Sequence, residues 1–328
     1  MMIVWASISI ATLALFAASM TYVYKIRGKT RYASVDEYLR HAWPIFSPAN
    51  CFLYLFTQQR GKGPILHTSD FPELTSLQEN WQTIRDEAIE LRRNHYFESI
   101  NEPGQPGHYD IGFRTFFKYG WRKYYLTWYG HTHQSALASC PKTVELLRKI
   151  PSVKGAMLST LPPGGKLTRH VDPLACSLRY HLGLATPNSD DCYITVDGNS
   201  YSWSDGEAFM FDETYLHSVD NHSDDDRLIL MCDIQRPTFF LGGLLNWFLI
   251  KFLATTVVPN TEEDKAGIGN KIFAMSVPIL SWSKELKKKN RPLYKILKSA
   301  LNIVLIVILL GILFALVVLS GWVGSFFT

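Results

Sequence analysis

KGAMLSTLPPGGKLTRHVDPLACSLRYHLGLATPNSDDCYITVDGNSYSWSDGEAFMFDETYLHSVDNHSDDDRLILMCDIQRP, residues 154–237 of a 328-residue chain, is the stretch from which the fold is read. Short runs of alternating apolar and polar residues recur through it: GAMLSTL, SLRYHLGLAT, CYITVDG, SYSWSDG, EAFMFD and RLILMCDI. Turn signals separate them, among them PPGG, TPNSD, DGNS and NHSDDD. Period-two patterning bounded by Gly, Pro, Asn and Asp reads as strands. Several short strands at near-regular spacing predict an antiparallel barrel or sandwich, an all-β core.

The same stretch carries a metal-ligand pattern. His170 and Asp172 form an HxD triplet, and in a strand residues two apart point to one face. His217, from a facing strand, completes two imidazoles and one carboxylate, the donor set of non-haem iron(II) oxygenases. A second HxD triplet, His108 to Asp110, has no following partner and is read as structural, as are His131 and His133.

Arg227 opens the apolar strand RLILMCDI. An arginine directed into a barrel needs an anionic partner, because burying a lone guanidinium is costly. Its fork suits the distal carboxylate of a dicarboxylic acid. Arg179 and His181 share one face of SLRYHLGL and offer further donors. Two inward arginines with no evident inward acid point to 2-oxoglutarate as cosubstrate. The alternative pairs them with surface acids such as Asp190 and Asp191.

Both ends of the chain are apolar. Residues 2–24 are long enough to cross a bilayer as a helix, and residues 302–323 form a second such stretch. Basic residues flank both on the side of the chain's middle: Lys25, Arg27, Lys29 and Arg31 after the first, Lys284 to Lys298 before the second. The positive-inside rule then predicts a cytoplasmic middle and both termini outside, that is, periplasmic. A third apolar stretch, 239–258, contains Asn246 and Lys251. It is read as a helix lying in the membrane interface, a true span or a buried core helix being the alternatives. Residues 259–301 form a basic juxtamembrane segment.

Residues 25–150 read as helical and irregular, an aromatic-rich segment packing on the core at 151–238. LTSLQENWQTIRDEAIELRRN has helical periodicity. GFRTFFKYGWRKYYLTWYG interleaves basic and aromatic residues; Arg114, Lys118, Arg122 and Lys123 are candidates for lipid phosphates. The formal charge of +4 is too small to argue for nucleic acid, and no obligate protein partner is inferred. The five cysteines form no CxxC pair, so neither a disulfide framework nor a thiolate zinc site is expected.

Residues 159–237 resemble the aspartyl/asparaginyl β-hydroxylase family of 2-oxoglutarate oxygenases. His170, LRYHLGL, FDETYLH and Arg227 with DIQRP behind it carry the likeness. FPELTSLQENWQTIRDEA, FFKYGWRKYYLTWYG, IPSVKGAMLSTLPPG and HVDP extend it towards the bacterial branch of inner-membrane lipid A hydroxylases. The resemblance implies a double-stranded β-helix (jelly-roll) core, iron at His170 and His217, and 2-oxoglutarate held by Ser159, Arg179, His181 and Arg227. Animal peptide hydroxylases of the family carry glycine where this chain has Asp172, which argues for the full triad here. The bacterial triplet resembles HRDP, so Val171 leaves out any phosphate contact made by that arginine.

The expected activity is therefore an Fe(II)-, O2- and 2-oxoglutarate-dependent hydroxylation of lipid A, at C2 of a secondary acyl chain, at the cytoplasmic face of the bacterial inner membrane. No catalytic side chain is expected beyond the metal site. The rivals are a peptide Asp/Asn β-hydroxylase, a metal-free binding module, and a cupin-like metalloenzyme that uses no 2-oxoglutarate.

Overall fold

The computed structural model describes residues 2–311 apart from 101, 103–104, 109, 111, 114–115, 302–303, 306 and 308–310; of the side chains at 2–6, 8–9, 116–117 and 280 nothing is said. Eleven strands form two antiparallel sheets. They are β1 (Ile65–Leu66), β2 (Arg122–Trp128), β3 (His131–Thr132), β4 (Val153–Leu161), β5 (Lys166–His170), β6 (Ser177–Ala185), β7 (Cys192–Val196), β8 (Asn199–Ser202), β9 (Ala208–Phe211), β10 (His217–Asn221) and β11 (Arg227–Gln235). The larger sheet runs β1-β9-β6-β11-β4-β2-β3 and the smaller β5-β10-β7-β8.

Alternation along the central strands explains the two-layer core. Leu228, Leu230, Cys232 and Ile234 of β11, with Leu178, Tyr180, Leu182 and Leu184 of β6, pack outward onto Leu77, Ile84, Ala88, Leu91, Val144 and Leu147. Those last residues belong to helices Thr75–Glu79, Trp81–Arg93 and Pro141–Arg148. The intervening Ile229 and Met231 turn inward with Met157, Leu161 and Phe211, and meet Leu167, Ile194, Val196 and Val219 of the smaller sheet. Successive strand residues point to opposite faces, so a strand covered on both sides reads as a continuous apolar run. This packing places Arg179, His181, Ser159 and Arg227 on the inner face. At Gly183 an added Cβ would lie 2.0 Å from the Ser204 carbonyl oxygen, so only glycine lets the loop after β8 lie against β6.

The predicted all-β core is present, but its boundaries are wider than 151–238. The larger sheet takes β1, β2 and β3 from the segment expected to be helical and irregular. β2 was hidden because Tyr124 and Leu126 pack outward while Tyr125 and Trp128 pack inward; burial on both faces erases the alternation. One of the expected phosphate contacts is also corrected. Lys123 is fully buried against Asp110, which also accepts from Tyr125 Oη at 2.9 Å. Arg122 pairs with Glu98 at 2.5 Å. Lys118 is exposed, and Arg114 lies outside the described residues. Asp110 thereby has a structural role, as expected for the second HxD triplet.

Residues Met2–Thr21 form a helix. Among the described residues no helix is long and apolar enough to cross a membrane; the expected span at 302–323 lies largely outside them. The helix Phe240–Leu253 packs on the helix Ser47–Phe56, with Gly242 against Phe56. Asn246, the residue that made this stretch ambiguous, is buried and donates to the Arg236 carbonyl at 3.2 Å. The opposite side presents Phe240, Leu244, Trp247 and Phe248 to the outside.

Arg27 corrects the reading of the first basic flank. Lys25 and Lys29 are exposed, but Arg27 is buried. It forms an ion pair with Asp212 at 2.6 Å, donates to the Thr214 carbonyl at 3.0 Å, and lies between the rings of Tyr54 and Tyr215, 3.8 Å from each. Breaking a buried pair leaves an uncompensated charge and typically costs about 3–5 kcal/mol. Asp212 keeps Arg236 at 2.9 Å, which places Arg27→Ala at about 3 kcal/mol, the low end of that range. A fall of several degrees in the thermal midpoint of the purified protein is expected; a Lys25→Ala control should not move it.

Candidate metal centre

His170 ends β5 and His217 opens β10, and the two are direct cross-strand partners. Their ring centroids are 4.2 Å apart. His170 Nδ1 lies 2.7 Å from the Thr168 carbonyl, and His217 Nδ1 lies 2.9 Å from that of Tyr215. Each Nδ1–H is thus donated to backbone, and each Nε2 keeps its lone pair for a metal. Asp172 follows just past β5, with its Oδ1 3.8 Å from His170 Nε2. One ligating atom from each of the three lies within 4.8 Å of the others. Burial, reinforced by His217, pushes His170 down to about 3; burial pushes His217 down to about 4. Both rings are therefore neutral, as ligation requires.

Asp172 is held from several sides. Its backbone N–H donates to the Glu213 carbonyl at 2.9 Å, and its Oδ2 accepts from Arg179 Nη2 at 2.8 Å. Asn50, on the helix Ser47–Phe56, donates to the Pro173 carbonyl and accepts from the Ala175 N–H, both at 2.9 Å, closing the loop that carries the ligand.

The site opens on a pocket of about 410 Å³, part of it open to solvent, lined by the three ligands, Ser159, Arg179, His181, Arg227 and apolar residues including Trp121, Phe211 and Met231. The two arginines differ sharply. Arg179 faces three carboxylates: Asp172, Glu213, and Asp233, whose Oδ1 is 3.0 Å from Nε. Burial opposes its charge, but Asp233, Glu213 and Asp172 outweigh burial and hold it protonated. Arg227 donates to Ser159 Oγ at 3.0 Å and lies 4.7 Å from the Trp203 ring. No carboxylate pairs with it among the described residues, and its Nε has no partner there. Burial pushes it down to about 10. His181 accepts from Trp203 Nε1 at 3.4 Å, and its Nε2 is likewise unpartnered among the described residues.

The profile of the aspartyl/asparaginyl β-hydroxylases matches residues 78–237. An ornithine lipid ester-linked acyl 2-hydroxylase of Rhizobium tropici is 30% identical over 201 residues, which span 60% of this chain and 69% of that protein. The chain belongs to the aspartyl/asparaginyl β-hydroxylase family. The human aspartyl/asparaginyl β-hydroxylase is 29% identical to this member over 173 residues, 49% of this chain and 21% of the human protein. The solved prolyl-4-hydroxylase of Pseudomonas putida is 16% identical and covers 50% of this chain and all of its own, with a TM-score of 0.33.

In this family member the structure brings together every residue expected at the site: His170, Asp172 and His217, with Ser159, Arg179, His181 and Arg227 in the same pocket. The expectation that neither arginine meets an inward acid holds for Arg227 and fails for Arg179. Glu213 and Asp233 were the missed partners. Both stand in motifs that carry the family likeness, FDETYLH and DIQRP, and an acid inside an apolar strand such as RLILMCDI is itself a signal of a buried cation. Asp190 and Asp191, the surface acids considered as alternatives, bond Ser202 and Ser189 instead.

His133 stays outside the site. Its Nε2 lies 2.8 Å from the Val258 carbonyl and its ring stacks on Tyr125. Burial pushes it down to about 4, against roughly 6.5 in an unfolded chain. The unfolded state therefore takes up the proton first, and stability falls as pH drops from 6.5 towards 4. His133→Asn removes that contribution. Its stability relative to the parent protein should improve by about 1.4 kcal/mol per pH unit over that window, read from paired thermal melts; a constant difference would refute the assignment.

Proposed function

We propose that the chain is an iron(II)- and 2-oxoglutarate-dependent hydroxylase of a membrane lipid, acting at C2 of a fatty acyl chain, with a secondary acyl chain of lipid A as the substrate. The observation that carries the reading is Arg227: a buried guanidinium without an acid among the described residues, in a pocket that also holds two imidazoles and a carboxylate. An unpaired buried cation is costly, and the distal carboxylate of 2-oxoglutarate supplies the missing charge.

The residues fit the metal as well. Two neutral imidazoles oriented by backbone carbonyls and one carboxylate make the facial donor set that suits iron(II). When bound, iron with 2-oxoglutarate and O2 supplies the oxidising chemistry. His170, Asp172 and His217 would hold the metal. Arg227 and Ser159 would take the far carboxylate, leaving the unpartnered Nε2 of His181 to face the near end. Trp121, Leu167, Phe211, Val219 and Ile229 line the pocket with apolar surface and limit water. No side chain is required as a nucleophile.

The lipid reading draws on the activity named for the Rhizobium relative, on the apolar sequence of segments 2–24 and 302–323, and on the helix Phe240–Leu253, whose outer aromatic side suits the interface. The basic flanks favour a cytoplasmic catalytic unit at a bacterial inner membrane.

Mass spectrometry of lipid A from cells with and without the chain tests the substrate. A gain of one oxygen on a secondary acyl chain, lost with His170→Ala, is the expected outcome. Unchanged lipid with succinate still formed from 2-oxoglutarate would replace lipid A by another lipid or by a peptide Asp/Asn side chain. For Arg227→Met, 2-oxoglutarate affinity should fall by about 10²-fold or more, the loss of a charge-assisted contact worth about 3 kcal/mol. The ligand-free protein should meanwhile melt no lower, because the charge removed is buried and meets no carboxylate among the described residues.

A further inference from the structure

We infer that Arg179 is a positioning residue for the Asp172 carboxylate and not a contact of the cosubstrate, Arg227 being the arginine left for that task. This rests on the metal and cosubstrate assignment proposed above.

The geometry divides the two roles. Arg179 Nη2 donates to Asp172 Oδ2 at 2.8 Å, leaving Asp172 Oδ1 as the oxygen nearest His170 Nε2. Nη1 donates to Met231 Sδ at 3.0 Å, and acids stand behind the other two nitrogens. Glu213 pairs with Nη2, and Asp233 lies 3.0 Å from Nε. Those acids are themselves fixed: Ser177 Oγ donates to Glu213 Oε1 at 2.7 Å, and Tyr129 Oη donates to Asp233 Oδ2 at 3.1 Å. Glu213 also accepts the Asp172 backbone N–H through its own carbonyl. One buried frame therefore holds both the main chain and the side chain of the ligand.

Charge gives the same division. Arg179 already has three acids within reach, so it needs no carboxylate from a cosubstrate to be matched. Arg227 meets none among the described residues. A planar fork can bridge Asp172 and the two acids behind it together, and an ammonium cannot. Loss of an outer residue that orients a metal ligand typically weakens metal binding about 10- to 100-fold.

The test uses the full chain in detergent, with Co(II) as a spectroscopic substitute for iron. Co(II) affinity is read from its visible absorption, and 2-oxoglutarate affinity from calorimetry at saturating Co(II). Arg179→Lys should raise the Co(II) Kd by about 10- to 100-fold and leave the 2-oxoglutarate Kd unchanged, whereas Arg227→Lys should do the reverse. An unchanged Co(II) Kd in Arg179→Lys overturns the inference, and so does a loss of 2-oxoglutarate affinity matching that of Arg227→Lys. If Arg179→Lys does not fold by circular dichroism, Asp233→Asn decides. It keeps the guanidinium and loosens its frame, so weaker Co(II) binding with unchanged 2-oxoglutarate binding supports the inference, and the opposite pattern overturns it. A parent protein that binds no Co(II) at a site sensitive to His170→Ala would remove the iron reading itself, an outcome distinct from either of these.

Discussion

The pairing of β5 with β10, which sets His170 directly across from His217, is the constraint on which the rest of the site depends. A register slip of one residue in either strand would carry that strand's imidazole to the outer face of the smaller sheet. Leu167 and His170, three residues apart, both face the larger sheet because the pairing shifts register between His217 and Val219, and a further slip would expose the apolar set of Leu167, Val219 and Ile194. The hydrophobic core and the ligand set are thus specified by the same pairing. Asp172 cannot share in it, lying past the end of β5, and the structure holds it by separate means: the Glu213 carbonyl, Arg179, and the Asn50 clasp on the loop behind it.

The inner face of the larger sheet carries unusual polarity for a barrel interior. Buried charges are tolerated where they are paired and hydrogen-bonded. Around Arg179 that condition is met with an excess of acid, and burial pushes Glu213 upward to about 8 in spite of Arg179. Around Arg227 it is not met by any described carboxylate, and the imbalance runs the other way. Two arginines on neighbouring strands thus have opposite surroundings, one closed within the protein and one directed at the pocket. A residue type and an inward direction do not distinguish them; the count of acids within reach does.

This marks how far the sequence could be read. The strand segments between 154 and 237 were legible because turn residues punctuate them, and the ligands because two His and an Asp make a metal donor set, although Asp172 lies past the strand on which the reading placed it. The likeness to the family added Ser159, which no spacing rule identifies. β2 was not legible, since Tyr124, Leu126, Tyr125 and Trp128 are buried on alternate faces and leave no period. Nor were the partners of Arg179. Glu213 reaches it from the loop before β10 and Asp233 from β11, and only the pairing of β11 with β6, which sets Asp233 opposite Arg179, brings that acid near. Lys123 misled for a similar reason: a basic residue among aromatics reads as a surface contact until Asp110 is brought beneath it.

The N-terminal region is joined to the metal centre more closely than an anchor needs to be. Arg27 grips Asp212 and the Thr214 carbonyl, Tyr54 donates to Thr214 Oγ1 at 3.0 Å, and Asn50 closes the loop of Asp172. Asp212 and Thr214 flank Glu213, which frames Asp172, and the same FDETYLH run ends in His217. The segment that follows the first apolar helix therefore supports both ligand-bearing loops at once. These buried contacts fix the segment against the pocket instead of leaving it as a flexible tether. A mobile linker would leave a site free to sample many orientations. Here the charge that a topology rule assigns to the membrane flank has been drawn inside, where it ties the N-terminal segment to the run that carries Glu213 and His217.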